Sequence, residues 1–323
     1  MKKILLIAPD YYGFDQVIYD SFKKHSQHEV TLITSNRGYS YKNVFEKTQN
    51  FFSKLLLNKN LKEQKKYQQL TEELSNCDTK SIILVNRPDL LSSQQLQILK
   101  GKTNHLVALY WDSFEKIPQQ NNLHFFDKGF SFDTSDCVRY NLINNTNFYF
   151  VTNDTAQSPI YDLFYLGTYD NRVENLYKIF KSIKRNHPNL RIGARLYSFK
   201  DRSVESDLKD NIELTNKLIP FNKAYSFNLN TRIILDLAHN NQNGLSFRPF
   251  EALGLHKKLI TDNKEIANYD FYNPNNILII DHNNPIVPDE FLNSDYESLP
   301  PSIYEKYSAK SWVNFIIEQT YAE

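Results

Sequence analysis

The residues best placed to do chemistry lie in one run, DLAHNNQNGLSFRPFEALG at 236–254. The apolar stretch before it predicts a strand over 231–237, and Ser246 stands where it would N-cap a helix over 247–255. Pro249 falls in the first turn of that helix, where a missing N–H costs little. A helix start offers unpaired N–H groups and the positive end of a dipole. With Arg248 beside it, this loop, which carries Gly244, could hold a phosphate or diphosphate. Glu251 shares the face of Arg248 and could accept hydrogen bonds from ribose hydroxyls, although the same spacing suits a plain ion pair between the two. Other chemistries lack their residues. Neither GxGxxG nor GxxxxGK[ST] occurs in a chain with only eight glycines, which argues against dinucleotide and P-loop sites. No HExxH and no His/Cys pair at ligand spacing is found, so His239 and His282 are assigned structural roles and no metal site is expected.

The elements that must position these residues alternate between strand and helix. Strands are predicted over 3–8, 29–34, 81–86, 105–111 and 125–132, with a helix at about 14–24 and one long helix over 41–75. A stretch rich in Asn and Thr, 145–157, separates this half from a second alternating pattern. There, strands are predicted at 164–167, 191–197, 231–237, 258–261 and 276–280, a strand or turn at 218–221, and helices at 172–185 and 247–255. A helical tail over 301–321 follows. Compact apolar runs with room for helices between them indicate parallel sheets covered on both faces, hence an α/β chain of domains 1–155 and 156–300 with a tail 301–323.

Composition narrows the function classes. Lys and Arg total 38 against 37 for Asp and Glu, which is too balanced for a dedicated nucleic-acid binder. Hydrophobic residues at 41% allow substantial cores, and two cysteines are too few for a disulfide framework. No run approaches the roughly 20 apolar residues that span a bilayer, and the run after Lys2 and Lys3 stops at Pro9 without a cleavage site, so a cytoplasmic location is expected. The segment 42–66 is basic and amphipathic. Its lysines either form a solvated face over a core stripe or meet anionic lipid peripherally on the cytoplasmic face of the inner membrane.

The run GLSFRPFEALG at 244–254, with KLIT at 258–261 and YDFY at 269–272, resembles the donor-binding half of GT-B glycosyltransferases from bacterial capsule and lipopolysaccharide gene clusters. NRPD at 86–89, YWDS at 110–113, FD at 126–127 and 132–133, DC at 136–137 and YLGT at 165–168 resemble the same group in order. The resemblance implies two Rossmann-like domains facing across a cleft, the first receiving a glycan or lipid-linked glycan acceptor and the second a nucleotide sugar. It also implies a terminal helix that crosses back to the first domain. The donor would be held by Gly167, Thr168, Asn243, Gly244, Leu245, Ser246, Arg248 and Glu251, with Arg172 and Arg195 as diphosphate clamps or surface charges. The loop at 219–221 would receive the nucleobase. Many retaining members carry two glutamates eight positions apart; here Glu251 matches the second, but Asn243 stands at the first. The nucleotide sugar is a substrate, so no cofactor is expected. A UDP-hexosamine 2-epimerase on the same fold and a non-catalytic nucleotide- or glycan-binding protein are the alternatives.

An inverting transfer needs a carboxylate or histidine to take the proton of the acceptor hydroxyl, whereas a retaining transfer can proceed without one. Asp112 and Asp10 each follow an apolar run at the C-terminal end of a predicted strand, where either could project into the cleft as a general base. Trp111 could stack on a sugar beside Asp112. Helix capping is the competing role for Asp112, and turn formation that for Asp10.

Overall fold

The structure is a computed structural model, and it describes residues 2–41, 43–57, 60–152, 158–239 and 244–322. The backbone alone is described for residues 51, 52 and 54–57. In the first half the strands are β1 (Lys3–Ala8), β2 (Glu29–Thr34), β3 (Ile82–Asn86), β4 (Leu106–Tyr110), β5 (Lys128–Ser131) and β6 (Ile143–Asn144). Between them run α1 (Phe14–His25), α2 (Val44–Leu57), α3 (Leu61–Asn76), α4 (Ser93–Lys100) and α5 (Thr134–Tyr140). The second half contains β7 (Tyr161–Thr168), β8 (Ile192–Tyr197), β9 (Ile212–Thr215), β10 (Thr231–Asp236), β11 (Lys258–Thr261) and β12 (Ile277–Ile279). Its helices are α6 (Val173–Asn186), α7 (Phe221–Leu229), α8 (Phe247–Gly254) and α9 (Asp289–Asn293), followed by α10 (Pro301–Lys306) and α11 (Ala309–Tyr321).

Among the described residues these strands form two six-stranded sheets, ordered β2-β1-β3-β4-β5-β6 and β12-β11-β10-β7-β8-β9. Every adjacent pair is parallel; β1, for example, sets Ile4 against Val30 on one side and against Ile82 on the other. Parallel strands are buried on both faces, which is why ILLIA, IILV and LVALY are unbroken apolar runs. In each sheet the chain winds outward in one direction and then crosses to the other side. The crossing points are β1/β3 and β7/β10. Ligands of open α/β sheets bind at the carboxyl ends of strands at such points.

The tail returns to the first domain. Ala309, Trp312, Val313 and Ile316 of α11 are buried in one cluster with Ile4, Leu6, Val17, Ile18 and Phe22. Three expectations need correction. The single helix predicted over 41–75 is two helices, with Asn60 capping α3 by accepting from the Glu63 amide. Residues 218–221 lead into α7, and strand β9 was not anticipated. The tail breaks at Tyr307 and Ser308, where Ser308 caps α11. The boundary expected at 155/156 falls outside the described residues.

Candidate functional site

A cavity of about 400 Å³ opens at the carboxyl ends of β7 and β10, between the two sheets. Gly167 and Thr168 border it from the end of β7, Asp236 and His239 from the end of β10, and Ser246, Arg248 and Glu251 from the start of α8. The first domain and the connector contribute Tyr12, Phe148 and Phe150. Leu218, Ile219, Phe221 and Tyr225 close the far side with apolar and aromatic surface.

The α8 end is built from inside the protein. Asp236 is buried and accepts from Ser246 Oγ at 2.9 Å and Thr261 Oγ1 at 3.0 Å, and burial pushes its carboxyl pKa up. Ser246 Oγ in turn accepts from the Arg248 amide, so one serine ties the helix start to the end of β10. Arg248 donates to Glu251 at 2.7 Å and to the carbonyl of Leu166 at 2.9 Å. The ion pair that the spacing allowed therefore forms, with both side chains still facing the cavity.

Arg172 is no surface charge. It grips Asp170 with two nitrogens, at 3.0 and 2.7 Å, and reaches the Leu237 carbonyl at 3.3 Å, so it ties the loop after β7 to the end of β10. Burial alone would raise the carboxyl of Asp170, but the hydrogen bonds and charge of Arg172 bring it down to about 2. Thr168 Oγ1 donates to the same carboxylate at 2.8 Å. Beneath Gly167 lies Tyr165, whose hydroxyl is buried without a partner and pushed up to about 12 by burial. A Cβ at position 167 would stand 2.6 Å from that hydroxyl, so the close approach requires glycine. Arg195 also borders the cavity and pairs with Glu213 at 2.9 Å.

Other expected donor residues are placed differently. Leu245 packs in the core with Phe250 and Leu259 and does not border the cavity, because its carbonyl is pinned by Asn147 and its side chain points inward. Gly244 adopts φ of +100° against Phe132 of the first domain, and its carbonyl accepts from Asn263 at 2.9 Å, so it shapes the loop. Asn243 lies outside the described residues.

On the acceptor side, neither Asp112 nor Asp10 borders the cavity. Asp112 caps no helix; its carboxylate meets Lys116 at 2.6 Å and Arg87 at 3.9 Å. Asp10 accepts from the Gly13 amide at 2.9 Å, the turn-forming role. Trp111 is not free to stack on a sugar. Its ring lies against Phe247 at 5.5 Å and edge-on to Phe14 at 5.0 Å, inside an aromatic cluster that joins the domains. Among the described residues no group of three or more His, Cys, Asp or Glu is arranged to hold a metal ion.

Solved structures share this architecture. An alpha-glucosyltransferase in complex with UDP and a 13-mer DNA containing a HMU base is 11% identical, with a TM-score of 0.53 over 99% of this chain and 95% of that one. The UDP-GlcNAc 2-epimerase from Methanocaldococcus jannaschii is 12% identical, with a TM-score of 0.50 over 100% of both chains. The fold is GT-B. No protein-family model matches the sequence, and no curated protein matches it either.

In the GT-B frame, the cavity lies where the second domain's sheet reverses direction, and the sequence had marked its α8 side. Asp236, Tyr165, Tyr12 and His239 were missed as cavity residues. Asp236 and His239 stood in the run that carried the strongest signal, and their position just past an apolar strand could have flagged them. Tyr12 carried no such signal, since its place is set by the packing of one domain on the other.

Proposed function

We propose that the chain is a metal-independent glycosyltransferase that moves a sugar from a nucleotide-sugar donor to a hydroxyl of a growing surface glycan, whether lipopolysaccharide, capsule or O-antigen. The observation that carries this reading is the cavity at the β7/β10 crossing, with the start of α8, Arg248 and Glu251 on one wall and an aromatic chamber opposite. The backbone at Gly167, the hydroxyl of Ser246 and the guanidiniums of Arg248 and Arg172 suit a diphosphate. Glu251, kept in place by Arg248, suits ribose hydroxyls, and the surface at Ile219, Phe221 and Tyr225 suits a nucleobase. As the sugar leaves the diphosphate, the two guanidiniums offset the negative charge that develops there. The acceptor enters from the first domain, past the ends of β1 and β4, where Asp10 and Asp112 stand. UDP bound to the glucosyltransferase of the same fold supports a nucleotide-sugar partner.

The same reading places the protein at the cytoplasmic face of the inner membrane. Val44 and Phe45 are exposed at the start of α2 beside Lys47, an arrangement that fits an interfacial contact with anionic lipid. Sedimentation with phosphatidylglycerol vesicles but not with phosphatidylcholine vesicles is expected, and equal recovery with both overturns this contact.

The test of function is a thermal-shift screen over UDP-, GDP-, dTDP- and CMP-sugars, followed by assay of nucleotide release. A donor present at 100 times its Kd adds about 2.7 kcal/mol of stability, a visible rise in Tm. Release of free nucleotide supports transfer. Conversion of a UDP-sugar to its 2-epimer with UDP retained would identify an epimerase, and tight binding without turnover a binding protein.

A further inference from the structure

We propose that His239 is the general base of the reaction, taking the acceptor proton from the donor domain's side of the cleft; the assignment rests on the glycosyltransferase reading above. His239 follows β10 at the crossing point of the second sheet and borders the cavity beside Asp236 and Arg172. Its backbone is anchored on both preceding residues: Arg172 donates to the carbonyl of Leu237, and the Ala238 amide donates to Asp262 at 2.7 Å. The residue stands at the open cavity wall, and its side chain has no hydrogen-bond or ion-pair partner among the described residues. A side chain held by its backbone, open to a cavity and unengaged is available to a substrate.

The surrounding charges favour this role. Partial desolvation at the cavity wall lowers the pKa of His239, and the positive charges of Arg172 and Lys116 lower it further, while Asp170 and Asp112 act in the opposite sense. The imidazole is therefore neutral at pH 7 and able to accept a proton. Arg172 and Asp170 belong to the second domain, whereas Lys116 and Asp112 lie on the loop after β4, so charges from both domains act on the ring. The carboxylate of Asp112 is by contrast occupied by Lys116 and Arg87 and stands off the cavity wall.

In the step assigned to it, a ring nitrogen of His239 takes the proton of the acceptor hydroxyl as that oxygen forms its bond to the anomeric carbon. The bond from the anomeric carbon to the diphosphate oxygen breaks, and its electron pair leaves with the nucleoside diphosphate. The proton then passes from the imidazolium to solvent. Arg172 and Arg248 receive the charge of the leaving group.

The test compares the parent with His239→Gln and His239→Ala. Hydrolytic nucleotide release, in which water supplies the acceptor hydroxyl, is followed from pH 5 to 9 with UDP-glucose, UDP-GlcNAc, GDP-mannose and dTDP-glucose, and UDP binding is measured by calorimetry. We expect both variants to bind UDP within twofold of the parent and to keep its Tm, while release falls by the roughly 10²- to 10⁴-fold that general-base catalysis supplies. The acid limb of the parent's pH profile should disappear in His239→Gln, and added imidazole should restore part of the rate of His239→Ala. Release within threefold of the parent, or an unchanged acid limb in His239→Gln, overturns the assignment and leaves the transferase reading standing. A parent that binds UDP yet releases nucleotide from none of the four sugars overturns the transferase reading and this assignment with it.

Discussion

Replacing Arg248 with Ala should separate phosphate recognition from nucleoside recognition. Its guanidinium faces the cavity while donating to Glu251 at 2.7 Å and to the Leu166 carbonyl at 2.9 Å, so it is pre-oriented before any ligand arrives. A hydrogen bond to a charged group contributes about 1.5–3 kcal/mol, which is roughly a 10- to 150-fold loss of affinity for UDP. Uridine carries no phosphate and should bind the parent and the variant within twofold of each other. The variant also leaves the carboxylate of Glu251, 14% exposed, without its partner, at a cost of about 1–3 kcal/mol in folding stability. Removing both partners in Arg248→Ala/Glu251→Ala should therefore cost less stability than the sum of the single changes. Titration calorimetry at fixed salt reads the affinities, and urea denaturation reads the stability. Equal losses for UDP and uridine, or no loss for either, would refute the phosphate role and leave the pair as a structural bridge between α8 and β7.

Three further outcomes are expected. Asp112→Asn should bind UDP as the parent does and keep nucleotide release within about tenfold, because its carboxylate already serves Lys116 and Arg87; a fall of 10² or more, in the general-base range, would return the base role to it. Gly244→Ala should lose about 1–3 kcal/mol in urea denaturation, since its φ is +100° and a Cβ would stand 2.6 Å from the ring of Phe132; an unchanged midpoint would show that the loop relaxes freely. The carboxyl of Asp162 is held down to about 2 by hydrogen bonds from Arg191, so its stabilisation is present above about pH 4 and is lost as pH falls through 2. With Arg191 half exposed this contribution is roughly 1–2 kcal/mol, so the gap between the parent and Asp162→Asn should shrink from pH 7 to pH 2.5, and a constant gap would contradict the linkage.

The parts of the fold legible in the sequence are those where local pattern and tertiary role agree. ILLIA, EVTLIT and KLIT are strands because an unbroken apolar or β-branched run bounded by polar residues has few other uses. The start of α8 was legible because capping is a local interaction: Ser246 needs only the amide of Arg248. Two helices in place of one could not be seen from an apolar stripe that continues across Asn60, since the stripe says nothing of the cap. Strand β9 was hidden by its shortness and its half-polar sequence IELT at the sheet edge. The roles of Trp111 and Arg172 depend on partners far along the chain, and no spacing rule finds Phe247 for Trp111 or the Leu237 carbonyl for Arg172.

The first residues of the α8 region show why the cavity wall and the domain contact are one construction. Ser246 turns inward to the buried Asp236, and Arg248 turns to the cavity. Phe247, between them, turns across the cleft, where it stacks on Trp111 and meets Phe14 and Phe221 edge-on at 5.1 Å. Beside this cluster the Phe221 amide donates to the carbonyl of Tyr12, so the mouth of the cavity is also a bridge between the domains. A ligand that draws on Arg248 acts on a turn whose middle residue is wedged in the opposite domain. Under the proposed function, donor binding and interdomain packing would therefore share one short stretch of backbone, with Phe247 between the cavity residues Ser246 and Arg248 and packed on the first domain.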